Sequence, residues 1–200
     1  MKATTIPLLG YALLGLLHQK ERSGYDLRKV FAETAMGNYN SSSPGAIYPA
    51  LERLEAGGLI RGKVEQAGGL RRRCVYRLSP KGLAELKKWL ARPIERTDVL
   101  RGVPELMLRF AFLDRALGPE AAVSFLRNFG AVLKDYADGL ESYLRDNGPN
   151  MPLSARLALE SGIRGYYGLH DWTAYAIREY RKSQLKSASH PSKRTQGGGK

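Results

Sequence analysis

The chain has 200 residues, with 32 Lys and Arg against 19 Asp and Glu and a formal charge of +13. That length allows one or two domains, and 43% hydrophobic residues suffice for a core, which excludes a wholly disordered chain. No apolar run approaches the roughly 18–20 residues of a membrane helix, and the single cysteine, Cys74, excludes an internal disulfide and an all-cysteine metal site, so a reduced, cytoplasmic protein with no membrane partner is expected.

In chain order, Pro7 opens a first helix carrying Leu8, Leu9, Ala12, Leu13, Leu16 and Leu17, and residues 19–22 are a polar break. Ser23 with Asp26 three residues on reads as a capping box for a second helix through Leu27, Val30, Phe31 and Ala35. Residues 37–42 carry turn chemistry. Ser43 then caps a third helix with Pro44 at its first position; Ile47, Ala50, Leu51 and Leu54 form its core side, and Gly57 and Gly58 end it. Pro49 is discordant, because inside a helix it removes a backbone bond and crowds the carbonyl of Gly45.

Residues 59–64 and 74–78 alternate as two short strands of a hairpin around Ala67, Gly68 and Gly69. A fourth helix opens at Ser79 and Pro80 and stops before Pro93. Residues 93–104 form the expected linker. The remainder reads as helices near 105–115, 119–146 and 153–185, and 187–200 reads as a disordered basic tail. The fold class expected is mainly α: a winged helix-turn-helix over 1–92 with a two-stranded wing, then a multi-helix dimerisation and effector domain over 105–186.

Charge follows this division. Residues 1–100 hold 17 Lys and Arg against nine Asp and Glu, while 101–180 hold nine against ten. A polyanion contact therefore belongs to the N-terminal half. A helix of this kind enters the major groove of double-stranded DNA. The third helix leaves Gly45, Pro49, Glu52 and Arg53 free, with Ala46 and Tyr48 on its flanks and Ser41, Ser42 and Ser43 at its positive end. Tyr48 and Arg53 have two readings each: contact with DNA, or domain packing for the one and a solvated charge for the other. Arg71, Arg72 and Arg73 at the hairpin tip repel one another and gain from meeting phosphates, against the plainer reading of a solvated run. Lys63 and Arg77 read as ordinary strand-surface charges.

Residues 8–92 resemble the PadR family of bacterial transcriptional regulators. The resemblance rests on Leu9 and Gly10, LLGLL at 13–17, SGYDL at 23–27, SPGAIYPAL at 43–51, RLE at 53–55, GLI at 58–60, RCVYRL at 73–78, PKG at 80–82 and WL at 89–90. It extends more loosely over 105–180, in the manner of the longer subfamily with a helical C-terminal domain. It implies a homodimeric repressor of transcription, released by a small aromatic effector.

In the second half, Leu169, Trp172, Tyr175 and Ala176 share one side of the last helix and are candidates for a dimer seam, with ordinary core and effector contact as the other readings. The three histidines are scattered and Cys74 sits in a strand. No nucleophile–base set, P-loop or metal-ligand spacing stands out, so no catalytic role, metal or cofactor is expected. The reading from another class is an effector-sensing or protein-interaction module whose winged domain no longer reads DNA. A coating protein for single strands would need strand-face aromatics, and the strands offer only Tyr76.

Overall fold

The computed structural model describes residues 6–34, 44–67 and 71–189. The chain divides into two units, Met1–Ala122 and Val123–Lys200.

The first unit holds α1 (Leu8–Gln19), β1 (Arg22–Ser23), α2 (Gly24–Glu33), α3 (Ile47–Ala56), β2 (Ile60–Ala67), β3 (Arg71–Leu78), α4 (Pro80–Leu90) and α5 (Arg96–Leu117). α1 is the hub. Ala12, Leu13 and Leu14 have no exposed surface, and the helix packs on α3, α4, α5 and β3. The capping box at α2 forms as expected: the Asp26 amide donates to Ser23 Oγ at 3.1 Å, and the Ser23 amide and hydroxyl donate to Asp26 at 3.2 and 2.7 Å. These bonds hold the Asp26 carboxyl below the usual carboxylate range.

The sheet has three strands, not the expected two, in the antiparallel order β1-β3-β2. Arg22 and Ser23, read as part of a break and a cap, pair with Tyr76 and Val75. Two residues carry no periodicity of their own, and β3 supplies the partner. The hairpin strands are also longer than expected. Ala67 pairs with Arg71, Gln66 with Arg72 and Glu65 with Arg73, so the arginine triplet belongs to a strand rather than a tip loop.

The expected linker is largely helical. α5 starts at Arg96 behind its own capping box, Glu95 with Asp98, and breaks only at Gly102, two residues before Pro104. Burial of Val99 holds its first part in place. Its second part packs on α1, where the Phe112 ring lies so close to Gly15 that a Cβ there would sit 2.5 Å from it. Arg115 donates to the Gln19 carbonyl at 2.8 Å. Arg109 is fully buried in this core and donates through Nη2 to the carbonyls of Leu90, at 3.2 Å, and of Arg92, which takes up acceptors at the end of α4. Burial lowers its pKa.

α6 (Pro119–Asn147) leads into the second unit, where it is followed by α7 (Leu153–Ser189). Within that unit the two cross closely at Gly130, whose carbonyl accepts from His170 Nδ1 at 2.9 Å. The Tyr136 and Tyr166 rings meet edge-on at 4.9 Å. Tyr167 Oη lies 2.8 Å from Asp138 and 2.9 Å from Glu141, and these carboxylates push the phenol pKa far up. α7 includes 187–189 of the expected tail; 190–200 lie outside the described residues.

Candidate nucleic-acid interface

The third helix begins differently from the expectation. Pro44–Ala46 form one 3₁₀ turn, and the α-helix starts at Ile47. Pro49 is then its third residue, where an amide has no intrahelical acceptor, so the proline costs no hydrogen bond. The discordance in the sequence is resolved by moving the helix start. Ile47, Ala50, Leu51 and Leu54 are all buried, as the periodicity predicts.

The far end closes in a Schellman arrangement. Gly58 takes φ +69°, a left-handed value suited to glycine, and its amide donates to the Glu55 carbonyl at 2.8 Å. The Leu59 amide donates to the Leu54 carbonyl at 2.9 Å. Both ends of the helix are thus fixed by local chemistry.

With its apolar side sunk into the domain, α3 turns Gly45, Tyr48, Pro49, Glu52 and Arg53 outward, with Ala46 half-buried. Ser41, Ser42 and Ser43 lie outside the described residues. Tyr48 packs within the domain and keeps one side exposed. Its ring packs over the backbone at the start of α2, where a Cβ on Gly24 would lie 2.7 Å from Cε1, and the residue remains 46% exposed. Sequence reasoning missed this pairing. Beside it stands Tyr25, exposed and carrying the Arg28 guanidinium 5.7 Å from its ring centre.

The hairpin runs alongside. The Gly62 amide donates to Glu55 Oε1 at 2.6 Å and ties β2 to the end of α3. Strand alternation splits the arginines: Arg72 falls on the face of Gly62, Cys74 and Tyr76, and Arg73 on the face of Arg61, Lys63 and Arg77. Both are exposed. Arg71 pairs in register with Ala67. Arg73 and Lys63 each lie 3.9 Å from Glu65. Cys74 is half-buried, and burial together with the Cys74 thiol pushes the Tyr76 pKa up to about 12.

Of the proposed seam on α7, Tyr175 is 52% exposed, Leu169 and Trp172 are half-buried, and Ala176 is buried. Leu153 and Leu157, earlier on α7, are exposed apolar side chains. In the first unit, a cleft of about 260 Å³ opens at the break in α5, lined by Arg92, Thr97, Asp98, Arg101, Gly102, Glu105 and Leu106. Arg92 pairs there with Asp98 at 2.6 Å and Glu105 at 3.7 Å. That lining is ionic, unlike the apolar walls that hold aromatic ligands. Among the described residues, no group of three or more His, Cys, Asp or Glu could hold a metal ion, and no helix is long and apolar enough to cross a membrane.

Three helices, a two-residue strand and a hairpin flanking an outward-facing third helix define a winged helix-turn-helix protein. Residues 13–88 match the Transcriptional regulator PadR-like family. The chain is similar to the negative transcriptional regulator PadR of Bacillus subtilis, with 31% identity over 145 residues covering 71% of this chain and 78% of that protein. It is also similar to a probable transcriptional regulator of Mycobacterium tuberculosis, with 31% identity over 94 residues covering 47% of this chain and 49% of the other. Among solved structures, the crystal structure of B. subtilis PadR in complex with operator DNA aligns over 88% of this chain and 99% of that one, at 24% identity and a TM-score of 0.43. The chain belongs to the PadR-like family of transcriptional regulators, which are not enzymes.

Proposed function

We propose that this chain is a cytoplasmic, sequence-specific DNA-binding repressor, acting as a homodimer on a pseudo-palindromic operator and released by a small aromatic effector. One observation carries the reading: α3 is anchored by Ile47, Ala50, Leu51 and Leu54 while Gly45, Tyr48, Pro49 and Arg53 face outward. Small Gly45 and Ala46 let the helix approach a groove closely. Tyr48 and Arg53 are the base-edge or phosphate contacts, and Ser41, Ser42 and Ser43, which precede this helix in the sequence, are further phosphate contacts of the proposal. Arg71, Arg72 and Arg73 supply cations from the hairpin.

The dimer reading draws on Trp172 and Tyr175 with Leu169; Ala176 is buried in this structure. The effector reading rests on family membership together with the aromatic residues of α7.

Selection of bound duplexes from a random pool tests the whole. The expected result is an enriched pseudo-palindrome with half-sites about 10 bp apart, bound with steep salt dependence. Equal affinity for every duplex would sink the specificity. If replacing Arg71, Arg72 and Arg73 by Ala left affinity intact, the hairpin's role would go with it.

A further inference from the structure

The chain leaves α3 through three consecutive carbonyls, and residues 79–81 supply a donor to each. The Leu59 carbonyl accepts from the Ser79 amide at 3.0 Å, the Gly58 carbonyl from Ser79 Oγ at 2.7 Å, and the Gly57 carbonyl from Lys81 Nζ at 2.8 Å. The start of α4 is thereby set against the end of α3. Gly82 permits this approach, because a Cβ there would collide with the Leu59 carbonyl oxygen. α4 is anchored in turn: Leu86, Trp89 and Leu90 are buried, and the helix packs on α1 and α5.

The two donor residues differ in kind. Ser79 is buried, and its hydroxyl also accepts from the Gly82 amide at 3.0 Å, so it caps α4 as well. Lys81 is exposed. The ion pairs among the described residues all involve other lysines and arginines, so the Lys81 ammonium is given to the end of α3 alone. A cation there also meets the negative end of the helix dipole. The opposite end carries the outward Gly45 and Tyr48; Gly57 follows Tyr48 by nine residues, about 13 Å of helix rise.

We propose that Lys81 is a positioning residue for α3: it holds the last turn of that helix against α4, and so fixes the direction in which Tyr48 and Arg53 project, without itself meeting the duplex. The proposal rests on the DNA-binding reading of α3. Burial of Ile47, Ala50, Leu51 and Leu54 sets which side of α3 faces the core. The tilt of its C-terminal end is left to the bonds around Gly57, with Glu55 restraining that end toward β2 and Lys81 restraining it toward α4. A helix that tilts is in the docking orientation only part of the time, and the apparent affinity falls by that fraction. Contacts to phosphates carry no sequence information and tolerate such tilt, so binding to an unrelated duplex is spared.

The test uses the full chain with Lys81→Met, which keeps the alkyl stem and removes donor and charge, and with Lys81→Arg, which keeps both. Fluorescence anisotropy across a salt series compares a duplex recovered by the selection described above with an unrelated duplex of the same length. Lys81→Met should weaken binding to the selected duplex about fivefold, the worth of one hydrogen bond, and to the unrelated duplex by less than about twofold. Its salt slope should match wild type, since no phosphate contact is lost. Lys81→Arg should restore the affinity. In the free proteins, amide hydrogen exchange at Gly57, Gly58 and Leu59 should be faster in Lys81→Met than in wild type, with α1 unchanged.

The proposal is overturned if Lys81→Met binds the selected duplex as wild type does, or if Lys81→Arg restores nothing. A salt slope lower by about 0.9, with both duplexes weakened alike, also overturns it, since Lys81 would then be a phosphate contact. Faster exchange throughout the domain, or a Lys81→Met chain that does not fold, overturns it too, because Lys81 would then serve stability rather than direction. If wild type prefers no sequence, it is the sequence-specific reading that fails, and the exchange comparison still reports whether Lys81 holds the end of α3.

Discussion

Gly24→Ala separates the positioning of Tyr48 from the stability of the domain. A Cβ at residue 24 would lie 2.7 Å from Tyr48 Cε1 and 3.4 Å from Cδ1 and Cζ. Carbon atoms settle at about 3.5–4.0 Å, so the ring must retreat by roughly 1 Å. Tyr48 is 46% exposed and has solvent to move into. The usual overpacking cost of about 1–3 kcal/mol is therefore largely avoided. Urea unfolding should place the variant within about 1 kcal/mol of wild type.

Binding should respond differently. On the proposed reading, in which Tyr48 hydrogen-bonds to the duplex, a displaced ring loses that bond, worth about 1 kcal/mol, or about fivefold in affinity. Fluorescence anisotropy on the selected duplex, at fixed salt, measures this for Gly24→Ala, Tyr48→Ala and the double variant. With the ring already gone, Gly24→Ala should change affinity by less than about twofold, which gives an interaction energy near 1 kcal/mol. The reasoning is refuted if Gly24→Ala binds like wild type, or if it weakens binding equally with and without the tyrosine ring. The second result would place the effect in the α2 backbone.

Three further outcomes follow from the packing. Asp26→Asn should destabilise the protein by about 1 kcal/mol at neutral pH, since a capping box loses its ionised partner. The Asp26 pKa is depressed in the folded state, so its contribution is present above the unfolded value and lost as pH falls through the folded one; wild type and variant should converge in acid, as thermal unfolding across pH would show. Arg109→Ala removes the donor to the Leu90 and Arg92 carbonyls and should cost about 3 kcal/mol or more in urea unfolding. Trp172→Ala with Tyr175→Asp should turn the proposed dimer into a monomer in analytical ultracentrifugation with helical content unchanged; a dimer that persists would move the seam elsewhere.

Elements whose cause is local were legible in the residues. Ser23 with Asp26, Gly57 with Gly58 and the 3.6-residue spacing from Ile47 to Leu54 each determine their structure within a few positions. What escaped depends on distant partners. Arg22 and Ser23 become a strand only because β3 presents Tyr76 and Val75. Gly102 and Pro104 mark a real break, but Val99 and Phe112 bury the helix on either side, and a pair of breakers was mistaken for a linker. Gly68 and Gly69 suggested a long loop, which hid the division of the arginines between two faces. Arg109 left no local trace, since Glu105 one turn earlier marks the same side of the helix as polar; its burial depends on the Leu90 and Arg92 carbonyls at the end of α4.

The outward face of α3 shows the same dependence in miniature. Lacking an amide proton, Pro49 cannot accept a further backward turn of α-helix through Gly45, whose carbonyl its ring would strike. The winding therefore has a fixed stop at the start of α3, from which Tyr48 and Arg53 project. Docking then spends none of its free energy on choosing the helix's starting point.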